Sequence, residues 1–250
     1  MGPPQICIPV SHSDSVVAVP LDQLPDDPDE LLDILKAEEA PLQLWLEFAK
    51  AYLSQDMVEQ FLHILHEGTS DEVVEYFGDR AKYERIQIFC ALASYYTSLG
   101  REERDRNKKS EAFNKAASHL QQAQRISLYE QLPKLGAGQL ALAQGNIDQA
   151  RREFQTAVPL KDNGQGNVAP HIALAAIAFQ QGRIDDALRL YRRALQDNPA
   201  APAEVRLGIA ACQYRKGNQG LARVAFERVL DLDPQNTEAL QALAVMKLNS

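Results

Sequence analysis

Glu59, His63 and His66 stand four and three residues apart, a spacing that puts all three on one face of a helix. A carboxylate and two imidazoles so placed are a partial ligand set for zinc. The site still needs a fourth ligand, and none is expected beside that face, so the trio reads as the polar side of a helix. The run GAGQLALAQG (136–145) has glycines in the manner of a phosphate-cradling loop. Such a loop must follow a strand and open a helix, whereas Gly136 and Gly138 fall inside a helical pattern with no strand before it. Acidic pairs such as Asp185–Asp186 sit where a turn enters a helix, a place that favours negative charge. The sequence has no GxSxG elbow, no Cys/His pair and no P-loop. These residues predict no enzyme, no cofactor and no metal.

The wider composition narrows the choice of partner. With 250 residues, 45% hydrophobic and 24% charged, the chain can build a sizeable core or a stack of small repeats. It has no apolar run of the length a membrane span needs, and no membrane partner is expected. The opening MGPPQICIPV lacks the basic and apolar regions of a secretory signal. Gly2 would suit myristoylation, but Ile6 stands where that motif requires Ser or Thr. Cys7, Cys90 and Cys212 are far apart and odd in number. They read as small buried hydrophobes in a reducing compartment, not as a disulfide framework or a zinc site. The net charge of −8 comes entirely from residues 1–40, where nine acidic groups face Lys36 alone. A neutral body with an acidic front is a poor general ligand for nucleic acid, which demands a surplus of Lys and Arg.

The elements that would position a site emerge from internal repetition. QGNIDQARREFQTAV (144–158), QGRIDDALRLYRRALQDNP (181–199) and KGNQGLARVAFERVLDLDP (216–234) align on Gly145, Gly182 and Gly217, spaced 37 and 35 apart. Ala150, Ala187 and Ala222 follow each glycine by five residues, and Phe154, Tyr191 and Phe226 come four later. This is the helix–turn–helix period of the tetratricopeptide repeat, TPR. In that repeat the eighth residue of the first helix is small, so that the paired helices approach closely. Ala49, Ala93, Gly138, Ala175, Ala210 and Ala244 fill the position in six successive helices. The expected fold is all-α, a right-handed TPR superhelix of about five repeats preceded by an extended arm and a helix. Its glycines permit the positive φ of a helix C-terminus, and Pro199 and Pro234 stop the second helices.

The expected divisions are an acidic arm and capping helix over 1–40, an array over 41–236, and one more first helix or cap over 237–250. Within the array the repeats run over about 41–68, 83–130, 131–167, 168–202 and 203–236. The second carries a polar insertion, 101–111, read as an extension of its two helices and their loop after Gly100. In the last helix Leu240, Leu243 and Met246 want an apolar partner, which favours a longer array. In the arm, alternating apolar residues predict an extended segment or a short strand pair. Asp27, Pro28 and Glu30 predict a capping box at the first helix, with an acidic docking surface as the rival use of that cluster.

A TPR stack offers a concave groove lined by its first helices. The second, fifth, ninth and twelfth positions give Leu132, Leu135, Gln139 and Leu142, then Ala169, Ile172, Ala176 and Phe179, then Glu204, Leu207, Ala211 and Tyr214. The stripe is apolar and lacks the Lys, Arg and Asn with which chaperone adaptors of this fold grip a C-terminal carboxylate. A hydrophobic partner segment is the expected ligand, and a peptide-binding chaperone adaptor is the alternative.

The stretch ICIPV…VVAVPLDQLPDDPDELLDILKAEEAPLQLWLEFAKAYL, with KYERIQIFCALASYYTSLG and PAEVRLGIAACQYRKGNQGLARVAFERVLDLDP, resembles the amino-terminal region of the large TPR subunit of the RNA polymerase II-associated factor (PAF) complex. The wording ILKAEEAPL and KYERI is similar to that of plant members. Lys134, His171 and Ala173 depart from the family's usual Trp, Leu and Gly. The resemblance implies a nuclear scaffold whose repeats hold other PAF subunits, chiefly the name-giving one. Through them it would act indirectly on RNA polymerase II and chromatin, in elongation and co-transcriptional histone modification.

Overall fold

Two acidic residues hold a backbone conformation that glycine usually takes, Glu39 at φ 51° and Asp56 at φ 60°. Both mark where a helix is made to stop. The computed structural model describes residues 4–11, 13, 15–160 and 168–248. It falls into two units, Met1–Leu128 and Tyr129–Ser250. His12, Asp14, residues 161–167 of the third expected repeat, and both extreme ends, Gly2 included, lie outside the described residues.

The first unit begins with a hairpin. Strand β1 (Gln5–Pro9) pairs antiparallel with β2 (Val16–Pro20), with Gln5 opposite Pro20 and Pro9 opposite Val16. Prolines at strand ends cost no ladder donor, and Ile8 of β1 is fully buried. Helix α1 (Pro28–Ala37) starts at Asp27, whose carboxylate accepts from the Asp29 N–H at 3.0 Å, with Pro28 as the first helical residue. The expected return bond from Glu30 to the Asp27 N–H is absent among the described residues, so the cap is one-sided.

Helices α2 (Leu42–Ser54) and α3 (Val58–Glu67) pack on α1 around Trp45, Phe48, Ala49, Tyr52, Phe61, Ile64 and Leu65. Their buried polar atoms are satisfied. The Trp45 Nε1–H donates to the Ala40 carbonyl at 3.2 Å, and the Tyr52 hydroxyl donates to the Pro25 carbonyl at 2.8 Å. Burial pushes the Tyr52 phenol up to about 12. Residues 69–82, which the repeat pattern leaves unassigned, hold helix α4 (Asp71–Phe77) and a 3₁₀ turn, Gly78–Ala81. Ser70 caps α4 by accepting from the Val73 N–H.

Helices α5 (Lys82–Glu102) and α6 (Arg106–Ile126) complete the unit. The polar segment 101–111 is divided between the end of α5, a short link, and the opening of α6, where Asp105 accepts from the N–H groups of Asn107 and Lys108. Gly100 is not a turn residue. It lies buried inside α5, and a Cβ there would meet the Phe113 ring at 2.5 Å. Its absent side chain admits an aromatic ring and does not end a helix.

Among the described residues the second unit has three helix pairs and a further helix. The pairs are α7 (Gln131–Ala143) with α8 (Ile147–Ala157), α9 (Val168–Gln180) with α10 (Ile184–Asp197), and α11 (Ala203–Arg215) with α12 (Gln219–Leu232). All three turns use one motif. Gly145, Gly182 and Gly217 have φ of 79°, 74° and 79°. The next residue in each, Asn146, Arg183 or Asn218, donates back five residues to the carbonyl of Ala141, Ala178 or Gln213. This is the Schellman closure, which satisfies the last helical carbonyls.

Helix α13 (Thr237–Leu248) lays Met246 and Leu243 on the Ala222–Phe226–Val229 cluster. Two of its three apolar residues therefore find the partner they were expected to lack, while Leu240 stays exposed. Ala244 is exposed as well, so the eighth position has no close-packing role in this helix.

Candidate functional site

The first helices α7, α9 and α11 bury one side through their small residues. Gly138, Ala175 and Ala210 are all buried, and a Cβ on Gly138 would lie 2.4 Å from the Phe154 ring. What remains uncovered is the stripe expected to line a groove. Leu132, Leu142 and Tyr214 are exposed at 43%, 38% and 38%, and Gln139, Ala169 and Glu204 are exposed or partly so with them.

Leu135, Ile172, Ala176, Phe179, Leu207 and Ala211 are half-buried. Leu135 packs on the Ala141–Phe154 cluster, Ile172 and Phe179 on the cluster around Tyr191, and Leu207 on the cluster around Phe226. The stripe thus serves two ends at once. Its inner atoms join neighbouring helices, and its outer atoms offer an apolar face with a Gln139 amide, a Tyr214 hydroxyl and a Glu204 carboxylate beside it. Such a face can take up an apolar segment and orient it through a few polar contacts.

One charged group of this face escaped the positional reasoning. The Arg215 guanidinium lies over the Phe179 ring, 5.6 Å from its centroid, a cation–π contact between α11 and α9. Its only sequence signal is a position one residue past Tyr214, at the end of the exposed stripe. Lys134 and His171, which depart from the resembled family, turn to their partner helices. Lys134 Nζ is 3.6 Å from the Glu153 carboxylate, and His171 Nδ1 is 3.9 Å from that of Asp197.

The two histidines of the metal-like trio turn to different partners. His63 Nε2 is 2.7 Å from the Asp29 carboxylate of α1. The His66 ring lies 6.0 Å from that of His119 on α6, and burial holds its pKa below the ordinary imidazole value. Among the described residues, no three His, Cys, Asp or Glu side chains are grouped to hold an ion. Cys7 is exposed on β1, contrary to expectation, because its strand turns Ile8 inward instead. Cys90 and Cys212 are buried, and burial pushes their thiols to about 12 and about 11. They are poor nucleophiles near neutral pH. No helix among the described residues is long and apolar enough to cross a membrane.

Over 98% of its length the chain is 46% identical to Protein CTR9 homolog of Arabidopsis thaliana and 33% identical to RNA polymerase-associated protein CTR9 of Caenorhabditis elegans. It spans 22% and 21% of those proteins. These relatives agree with the resemblance drawn from the arm and the repeats. Among solved structures, TTC0263, a thermophilic TPR protein of Thermus thermophilus, superposes with a TM-score of 0.58 at 21% identity. That likeness covers 75% of this chain and 89% of that one. The fold is an all-α TPR solenoid. A family model described as a tetratricopeptide repeat-like domain matches residues 81–250. Because that match spans the stretch in which the glycine turns and their small partner residues recur, the chain belongs to the tetratricopeptide repeat-like family.

Proposed function

We propose that the chain is a non-catalytic scaffold module of the PAF transcription elongation complex, working in the nucleus. Its stripe, Leu135, Gln139, Leu142, Ile172, Ala176, Phe179, Leu207, Ala211 and Tyr214, receives an apolar segment of another PAF subunit, chiefly the name-giving one. Through that assembly it supports RNA polymerase II elongation and co-transcriptional histone modification, with no direct contact to nucleic acid or membrane.

The observation that supports this reading is the apolar stripe itself. Large side chains are left open at Leu132, Leu142 and Tyr214 on helices whose other sides are packed. Large apolar side chains left open at matching positions of first helices favour a protein–protein site. The name of one relative, RNA polymerase-associated protein CTR9, supports the setting.

The test is co-purification of Leu207→Glu and Tyr214→Glu variants with co-expressed PAF subunits. Tyr214 is the cleaner probe, since it is exposed and its replacement leaves the core intact. Loss of the partner with unchanged helicity by circular dichroism is expected, and undiminished co-purification of both variants would remove the groove from consideration. Retention on an immobilised chaperone C-terminal peptide would favour the chaperone-adaptor alternative instead.

A further inference from the structure

The first unit holds a cavity that the groove does not use. It lies between α1, α2 and α4, has a volume of ≈ 150 Å³, and is lined by Leu35, Trp45, Val73, Tyr76 and Phe77 with Lys36, Glu39 and Glu72. Leu35, Trp45 and Val73 are almost wholly buried, whereas Tyr76 is 47% exposed. The Tyr76 and Phe77 rings meet edge to face, with centroids 4.9 Å apart and planes at 85°. These two rings and the buried Trp45 indole line the same cavity, which makes it an aromatic box. A cavity of about this size accommodates a benzene-sized group and is below the range of about 300–1,000 Å³ typical of drug-sized ligands. It can accept one side chain.

The charge around this box has a definite sign. The Lys36 ammonium is paired with Glu67 at 2.6 Å, which leaves Glu39 and Glu72 as the excess. The nearby Glu39 carboxylate holds the Tyr76 phenol above its ordinary value, which sets this charge beside the ring. Glu72 acts on Lys36 through its charge but makes no direct hydrogen bond or salt bridge among the described residues. An apolar guest would desolvate these carboxylates without compensation, and an anion would be repelled. A cation on an apolar stem satisfies both features when its methylenes lie across the apolar floor and its charge turns back to the rim, against the Tyr76 ring and the two carboxylates. The wider surface agrees, since residues 1–40 carry all of the chain's net charge of −8.

We infer that this cavity receives a lysine-type ammonium, free or methylated, from a basic segment of a partner protein. Tyr76 and Phe77 supply the ring faces, and Glu39 and Glu72 the counter-charge. The site shares no residue with the stripe on α7, α9 and α11 and stands whether or not that stripe binds a PAF subunit.

The test titrates the 250-residue chain with short Gly/Ser peptides carrying one central lysine, trimethyllysine or norleucine. Calorimetry and Trp45 emission follow binding, the latter unambiguous because the chain has a single tryptophan. A cationic peptide is expected to bind roughly tenfold more tightly than the norleucine peptide. Whether lysine or trimethyllysine binds better then identifies the form preferred, and either order supports the site. Tyr76→Ala, an exposed position, is expected to weaken the cationic peptide about 3- to 30-fold. Glu72→Gln is expected to weaken it by a few-fold, and the loss should shrink as salt rises. Equal binding of the norleucine peptide, no saturable binding into the millimolar range, or unchanged affinity in Tyr76→Ala would each overturn the inference.

Discussion

The two units close their helices with the same device and different residues. In the second, Gly145, Gly182 and Gly217 occupy the left-handed position, where glycine pays no Cβ penalty. In the first, the position belongs to Glu39 and Asp56, and the same five-residue return bonds run from Ala40 to Leu35 and from Met57 to Tyr52. Their cores differ in the same sense. The second unit buries one ring per pair, Phe154, Tyr191 or Phe226, among alanines. The first concentrates Trp45, Phe48, Tyr52 and Phe61 in one cluster. It then ties the chain before α1 to α2 and α3, with Gln55 and Gln60 amides donating to the carbonyls of Leu21 and Asp26. Stability in a repeat array is a sum of similar small interfaces. The first unit departs from that rule over its arm and helices α1 to α3, which rest on one large core, while α5 and α6 bury Phe113, Ala116 and Ala123 between them.

That contrast is broken most severely at Trp45. Trp45→Ala removes a side chain that is 1% exposed and should cost about 3–5 kcal/mol. Hydrogen exchange is the measurement that matters, because it resolves the units. Amides of α2 and α3 should lose protection while those of α8 and α10 keep theirs. Loss of protection in α8 and α10 to the same degree would mean that the two units unfold as one.

A smaller effect probes the second unit's packing. In Gly138→Ala the new methyl would sit 2.4 Å from Phe154, a ring that is 1% exposed and cannot swing aside. Overpacking costs about 1–3 kcal/mol and outweighs the gain in helix propensity, at most about 1 kcal/mol. A net loss of about 1 kcal/mol in denaturant unfolding is expected. The double change with Phe154→Leu, which vacates the ring's volume, should recover part of it. A lone Gly138→Ala that stabilises the chain would show the approach of these helices to be adjustable.

The turn residues sharpen the comparison with opposite signs. A methyl group added at Gly182 would have no neighbour within 4 Å, so Gly182→Ala tests backbone conformation alone and should cost about 1 kcal/mol. Asp56→Gly moves the other way. It relieves a left-handed, exposed non-glycine residue and should raise stability by a few tenths of a kcal/mol, part of the relief being offset by a more flexible unfolded chain. Thermal melts of the two variants should therefore shift in opposite directions.

The same turns explain what could be read from the sequence. Where glycine holds the left-handed position, spacing alone reveals the pair, and α7 to α12 follow from Gly145, Gly182 and Gly217. Asp56 also stands seven residues after its small partner, Ala49. It gives no such signal, because return bonds can hold an ordinary residue there. Gly100 misled for the converse reason: a glycine within a helix can serve ring packing. Helix α4 lay outside the period, although Ser70-Asp71-Glu72 is a legible start signal. The stripe was legible as positions on a helix. The Arg215–Phe179 contact and the aromatic box were not, since each depends on how separate helices meet.

The smallest expected effect concerns protons, and it falls on the first unit. Burial holds the pKa of both His66 and His119 below the ordinary value, near 6.5 in an unfolded chain. Their rings lie 6.0 Å apart. His119 stacks on Tyr96 with centroids 5.7 Å apart and planes at 10°, and Lys115 lies over the same Tyr96 ring at 5.6 Å. As pH falls through about 6.5 the unfolded chain binds protons that the folded one resists, so stability must fall with it. From about pH 7.5 upward the contribution is fully present and flat. Glu111, whose pKa is lowered by its bond to Lys115, acts only in a more acidic window and does not confuse the reading. Melting temperature should therefore decline between about pH 7.5 and pH 5.5, with a shallower slope in His119→Gln. Exchange protection in α6 should decline over the same range while that in α12 holds. A slope unchanged by His119→Gln would assign the acid sensitivity to groups outside this stack.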